Sequence, residues 1–198
     1  MRRARTLVVT LLALAGCGDP YRDKLIDALG DEDPRFPKGE FHRPGQPCGA
    51  CHSKYGGAPE FSIGGTLFNN ALVGQAPFMV DKYTVRIVDS EGQSRDVVSN
   101  RCGNFFIRKT EWDPAFPLRT ELYGPNPKDP QKLIQVNVMS SRIARDASCA
   151  GCHIGSKSPY SPGVVYVPQL PPAVLPPGAG QCPTPWLGPD PRVPDPTK

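Results

Sequence analysis

Two pentapeptides constrain this chain more than anything else in it: Cys48-Gly49-Ala50-Cys51-His52 and Cys149-Ala150-Gly151-Cys152-His153. Each sets two thiols three residues apart and an imidazole next in line. On one tight turn both thiols can reach one edge of a flat ligand, and the imidazole lies beneath it. A porphyrin has two vinyl groups on one edge and an iron at its centre. Two thioethers and one axial imidazole therefore match it group for group. The spacing predicts two covalently bound haem c groups, attached through Cys48, Cys51, Cys149 and Cys152, with His52 and His153 as axial metal ligands. Structural zinc on the two Cys-x-x-Cys pairs is a less economical use of the same residues, because a histidine follows each pair. A thioredoxin-like redox pair needs a βαβ context that the sequence lacks.

The remaining cysteines sort by position. The chain has seven, four of them in the two motifs. Cys17 ends a leader with Arg2, Arg3 and Arg5, an apolar run, and Leu14-Ala15-Gly16 just before it. A basic start and a short apolar run ending in small residues form an export signal, and the run is too short to span a bilayer. Leu14-Ala15-Gly16-Cys17 resembles a bacterial lipobox, which implies lipidation of Cys17 and a membrane anchor on the periplasmic side of the envelope. Gly18, rather than an aspartate, follows the cysteine and leans this expectation toward the outer membrane. Export agrees with haem attachment, which takes place outside the cytoplasm. In such a compartment Cys102 and Cys182 are expected to form a disulfide pinning the C-terminal tail. A free thiol, or thiolate ligation by Cys102, is the alternative.

Charge excludes one class of partner. The formal charge is +4, but without the leader arginines 20 Lys and Arg face 19 Asp and Glu. Mixed charges near neutrality give no footprint for nucleic acid. The expected partners are redox proteins and, through the lipid, a membrane.

Along the chain, Asp19 to Leu29 reads as a short helix with Gly30 as its stop. Residues 31–60 are rich in Pro and Gly and read as loop with a helical turn at the first motif. From Phe61 the period changes to two. The stretches Phe61–Phe68, Tyr83–Val88, Asp96–Ser99, Asn104–Ile107, Leu118–Tyr123 and Leu133–Val138 are separated by turn residues, and Gly163–Val167 offers one last strand. This predicts a mainly β fold, a small antiparallel β-sandwich flanked by two loop or short-helix haem segments. The expected divisions are a signal (1–16), an N-terminal segment with the first haem site (17–60), the sandwich (61–139), the second haem site (140–167) and an extended Pro-rich tail (168–198), where much of the total of 25 prolines lies. Folding must bring Cys48 and Cys149 to the same end of the molecule if the two haems are to communicate.

Gly65-Thr66-Leu67-Phe68, Val85-Arg86-Ile87-Val88-Asp89 with Gly92, and Ser99-Asn100 with Gly103-Asn104-Phe105 resemble the carboxypeptidase-regulatory, transthyretin-like sandwich. With His42-Arg43-Pro44-Gly45-Gln46-Pro47-Cys48 and Ser148-Cys149-Ala150-Gly151-Cys152-His153 added, residues 17–167 resemble dihaem cytochrome lipoproteins in which such a sandwich sits between two haem motifs. That resemblance implies electron transfer at the cell envelope and supplies no substrate.

The sixth ligands are the scarce resource. Of three histidines, only His42 remains after His52 and His153, so at most one haem is bis-histidine. His42 cannot easily fold back across its own haem but can cap either haem if the two are stacked. Met139 ends the strand Leu133–Val138 and falls on the face opposite Ile134, Val136 and Val138, away from the expected core. Met79 is a weaker candidate. Arg43, Arg101, Arg142 and Arg145 are candidates to meet haem propionates. No set of catalytic side chains stands out, so the expectation is an electron carrier rather than an enzyme. A haem enzyme of peroxidase or sulfur-compound oxidoreductase type, or a haem-based redox or gas sensor, stands as the alternative.

Overall fold

The computed structural model describes residues 19–36, 38–69, 80, 82–145, 148–153, 157, 159, 161–167, 182 and 183. The leader with Cys17, Met79 and nearly all of the tail lie outside the described residues. Helix α1 (Pro20–Ala28) belongs to a unit separate from the one that begins at Asp31. Its start is chemically specified. The Asp19 carboxylate accepts from the amides of Tyr21 and Arg22, both at 3.1 Å, and Pro20 opens the first turn, where no donor is needed. Gly30, at φ +70°, ends it.

The second unit is built on seven strands: β1 (Phe61–Asn69), β2 (Thr84–Val88), β3 (Ser94–Val98), β4 (Asn104–Arg108), β5 (Arg119–Asn126), β6 (Asp129–Val138) and β7 (Val165–Val167). They form a three-stranded sheet, β4-β1-β7, and a four-stranded sheet, β3-β2-β5-β6. Period-two alternation turns Ile63, Leu67, Phe105 and Ile107 of the first sheet toward Val85, Ile87 and Leu122 of the second, with Trp112 and Leu118 completing one core. Burying a side chain of this size is worth roughly 1.5–3 kcal/mol, so this shared core is the main source of stability.

Two expectations change. The fold is mainly β, but not wholly antiparallel: β7 pairs in parallel with β1, Leu67 opposite Val165. A parallel bridge joins Gly64 to Ser148 just before the second motif, and β7, after the motif, pairs with β1 in the same direction. The stretch assigned to the second haem site thus completes the three-stranded sheet. In β6, Ile134, Val136 and Val138 do not share a buried face. Only Val136 packs on the core, while Ile134 and Val138 are exposed. The cause is position: β6 is an edge strand, and its pairing with β5 shifts register twice.

β1 is the central element. From Ser62 to Asn69 it is buried on both faces. The other sheet covers one face. The other face is covered by the loop that precedes the strand: the Gly45 amide donates to Thr66 Oγ1 at 2.8 Å, and the Phe61 amide donates to the His52 carbonyl at 3.0 Å.

Candidate functional site

The two Cys-x-x-Cys-His segments fold alike. Cys48–Ala50 and Cys149–Gly151 are each a single 3-10 turn. In the first, the amides of Cys51 and His52 donate to the Cys48 carbonyl at 3.2 and 2.8 Å. In the second, the amides of Cys152 and His153 donate to the Cys149 carbonyl at 3.2 and 2.7 Å. The flanking backbone agrees as well, with an extended residue before the turn and a right-handed helical one at Cys51 and Cys152. The local sequence explains this. Small residues between the cysteines let the turn close tightly, and Pro47 fixes the extended entry to the first one.

Both histidines are held in the same way. His52 Nδ1 lies 2.8 Å from the Pro59 carbonyl, and His153 Nδ1 lies 2.8 Å from the Gly163 carbonyl. A carbonyl can only accept, so each Nδ1 carries the proton and each Nε2 keeps its lone pair. This is how metal-binding histidines are usually oriented and made more basic. The first bond depends on Gly56. A β-carbon there would fall 1.7 Å from the Cys51 carbonyl oxygen, so only glycine lets the loop double back to bring Pro59 to His52.

His52 is also stacked. Its ring lies 3.8 Å from the Phe61 ring at an interplanar angle of 8°, and Phe61 in turn stacks on Phe106 at 4.6 Å and 7°. The His42 ring is 5.7 Å away, tilted by 40°. Burial holds the His52 imidazole below its usual pKa; the Pro59 bond opposes this, and the nearby His42 adds to the lowering. The neutral ring is the form that binds a metal.

The two turns meet on one strand. A β-carbon on Gly64 would lie 3.3 Å from Cys48 Cβ and Sγ; one on Gly65 would lie 2.8 Å from Cys149 Cβ and 3.2 Å from its Sγ. Consecutive strand residues face opposite sides. The first cysteine of each turn therefore packs on opposite faces of β1, one residue apart, and the turns touch each other. None of the four motif thiols is in a disulfide, whereas Cys102 and Cys182 are joined. Among the described residues, no three His, Cys, Asp or Glu gather closely enough to chelate an ion by themselves.

These residues fit haem. Each site needs from the protein only two thiols and an oriented imidazole, since the porphyrin supplies the iron's other in-plane ligands. Both sites present that set beside backbone that carries no β-carbon.

The other candidates divide. His42 is brought to the first turn, and its Nδ1 bonds the Gly39 carbonyl. A small cleft opens beside it, lined by Glu32, Phe36, Arg43, Gln46 and Pro183. Met139 is half-buried past the end of β6, its amide donating to the Thr120 carbonyl at 3.0 Å. It continues the edge strand of the four-stranded sheet. Arg43 pairs with Glu32 at 3.4 Å and Gln46 at 2.7 Å, and Arg101 lies over the Phe41 ring at 4.1 Å. Arg142 and Arg145 are exposed. The sequence marked the two motifs but not the residues packed against them. Pro59, Gly163, Gly64, Gly65, Phe61 and Phe106 take their roles from the path of the backbone around the turns, which the motif spacing does not encode. Comparison with family models, curated proteins and solved structures gave no match to this chain.

Proposed function

We propose that this chain is an exported dihaem c-type cytochrome that transfers electrons at the bacterial cell envelope. Its framework would be a carboxypeptidase-regulatory-like sandwich, anchored through lipid on Cys17 on the periplasmic side, at the outer membrane. Redox proteins are its partners. One observation carries the reading: two like-built turns, each with its histidine Nδ1 given to a carbonyl, abut consecutive glycines of one strand. Cys48 and Cys51 would attach one haem and Cys149 and Cys152 the other. His52 and His153 would be the axial ligands, with His42 on a sixth position. Bound haem supplies a one-electron centre. The protein's share is to fix the imidazoles, to keep water from His52 with Phe61 and Phe106, and to hold the two attachment turns in contact.

The test is covalent haem. Secreted from a host that attaches haem, the protein should stain for haem on a denaturing gel and yield two haems per chain. The pair Cys48→Ala and Cys51→Ala should leave one, as should Cys149→Ala and Cys152→Ala. A chain that carries zinc and no haem would overturn the proposal.

One fact favours the enzyme or sensor alternative. If His52 and His153 each held one haem, His42 would be the one histidine left, too few to give both haems a second imidazole. Carbon monoxide binding to the reduced protein would support that alternative. Indifference to it in both redox states supports the carrier.

A further inference from the structure

The segment that carries His42 is held partly by its own side chains, with Arg43 bonded to Glu32 and Gln46. It is neither helix nor strand, and Arg43 (φ +47°) and Gly45 (φ +82°) both lie in the left-handed region. Within it the His42 amide donates to the Gly39 carbonyl and the Gln46 amide to the Arg43 carbonyl, both at 3.3 Å. Yet His42 sits at a defined place beside His52. The turn between β3 and β4, with the first residue of β4, grips it from across the chain.

Two asparagines there reach across. Asn100 Nδ2 donates to the Glu40 carbonyl at 2.7 Å. Asn104 Nδ2 donates to the Glu40 carbonyl at 3.2 Å and to the carbonyl of His42 itself at 3.0 Å. Asn104 Oδ1 accepts from Thr66 Oγ1 at 2.8 Å, and Thr66 Oγ1 accepts from the Gly45 amide at 2.8 Å. The loop is thus gripped on both sides of His42. The asparagines are themselves fixed: Asn100 Oδ1 accepts from the amides of Cys102 and Asn104 at 3.0 and 3.1 Å, and Cys102 is tied to Cys182. Arg101, stacked over Phe41, closes the contact.

We propose that Asn104, backed by Asn100 and Thr66, is a positioning residue that presents His42 as a sixth ligand to haem iron. This rests on the dihaem reading above. Amide chemistry is what the place requires: a flat group that donates to two carbonyls with one end while accepting a hydroxyl with the other. An aspartate has the same shape and keeps the Thr66 bond, but it turns two attractions into repulsions between oxygens. The His42 Nδ1 bond to Gly39 leaves Nε2 as the ligating atom.

The test uses the full-length, secreted holo-protein and electron paramagnetic resonance of its ferric haems. The native protein should show one bis-imidazole low-spin haem. His42→Ala should lose that signal, and added imidazole should restore it. Asn104→Ala should show the same loss in part, with the same recovery on adding imidazole and an unchanged far-UV circular dichroism spectrum. Asn104→Asp, isosteric and able to keep the turn, decides the matter if the alanine variant fails to fold. A folded Asn104 variant with the native spectrum overturns the proposal. So does a His42→Ala protein whose haem ligation is unchanged, and in that case the two haems remain and the dihaem reading stands. A chain without covalent haem defeats that reading first.

Discussion

At the scale of single residues, the glycines of this molecule differ in what they tolerate. Gly65→Ala would drive a methyl to 2.8 Å from Cys149 Cβ and 3.0 Å from the Phe105 ring. Overpacking of this kind costs about 1–3 kcal/mol. Gly64→Ala meets its neighbours at 3.3 Å and should cost less. Thermal melts of the two variants should rank them in that order, with Gly65→Ala several degrees below Gly64→Ala. Gly56→Ala should act differently, because its clash is with the Cys51 carbonyl. There the loop that returns Pro59 to His52 must move, and the haem of the first turn should change its spectrum while the second does not. The two Cys-x-x-Cys-His turns proposed as haem sites were legible in the sequence, because the motif is a fixed local spacing of two thiols and an imidazole. The carbonyls that orient those imidazoles were not. Any residue type can offer a carbonyl, so Pro59 and Gly163 leave no mark until the backbone path is known.

At the scale of elements, the strands with one clear buried face were readable. Period two gave β1, β2, β4 and β5 nearly in place, and the stretch Asp19 to Leu29 with Gly30 as its stop framed the helix. β6 misled because apolar residues on an exposed edge follow the same alternation as buried ones. β7 was too short for its direction to show, since parallel pairing depends on a long connection rather than on a local turn. Two predictions belong here. The Cys102–Cys182 bond closes a span of 80 residues, for which chain entropy gives about 4.5 kcal/mol. The double variant Cys102→Ser and Cys182→Ser should lose about 2–4 kcal/mol in denaturant unfolding while keeping both haems, because thioethers do not involve those cysteines. Across β2 and β3, Arg86 grips Asp96 with two bonds of 2.8 Å, and the guanidinium holds the Asp96 carboxyl below its usual range. A depressed acid stabilises the fold above its ordinary pKa near 4, and loses that contribution as pH falls through the lowered value. Asp96→Asn should therefore lower the melting temperature slightly at neutral pH. In strong acid, below the lowered value, the variant and the native chain should melt together.

At the scale of the whole molecule, the two sites are alike in backbone and unlike in surroundings. His52 has Phe61, Phe106 and His42 about it, whereas His153 is bonded to Gly163. A potentiometric titration of the holo-protein should resolve two one-electron steps of different midpoint, and His42→Ala should move one of them. Two coincident steps would count against this assignment of His42. The sequence posed the requirement that Cys48 and Cys149 come together, but not the means. The means is the register of a parallel edge on β1, fixed by residues far apart in the chain.

That register has a consequence for how such a protein can change over time. The offset between Cys48 and Cys149 is measured by the step from Gly64 to Gly65, one peptide unit, and not by the long stretch of chain that separates the motifs. Insertions at the exposed turns around Glu91 and Lys128 can lengthen that stretch without altering the offset. A slip of one residue along β1 would instead put each cysteine on the wrong side of the sheet. Lineages of this fold are thus free to vary its loops for new neighbours, provided that this one peptide bond stays where it is.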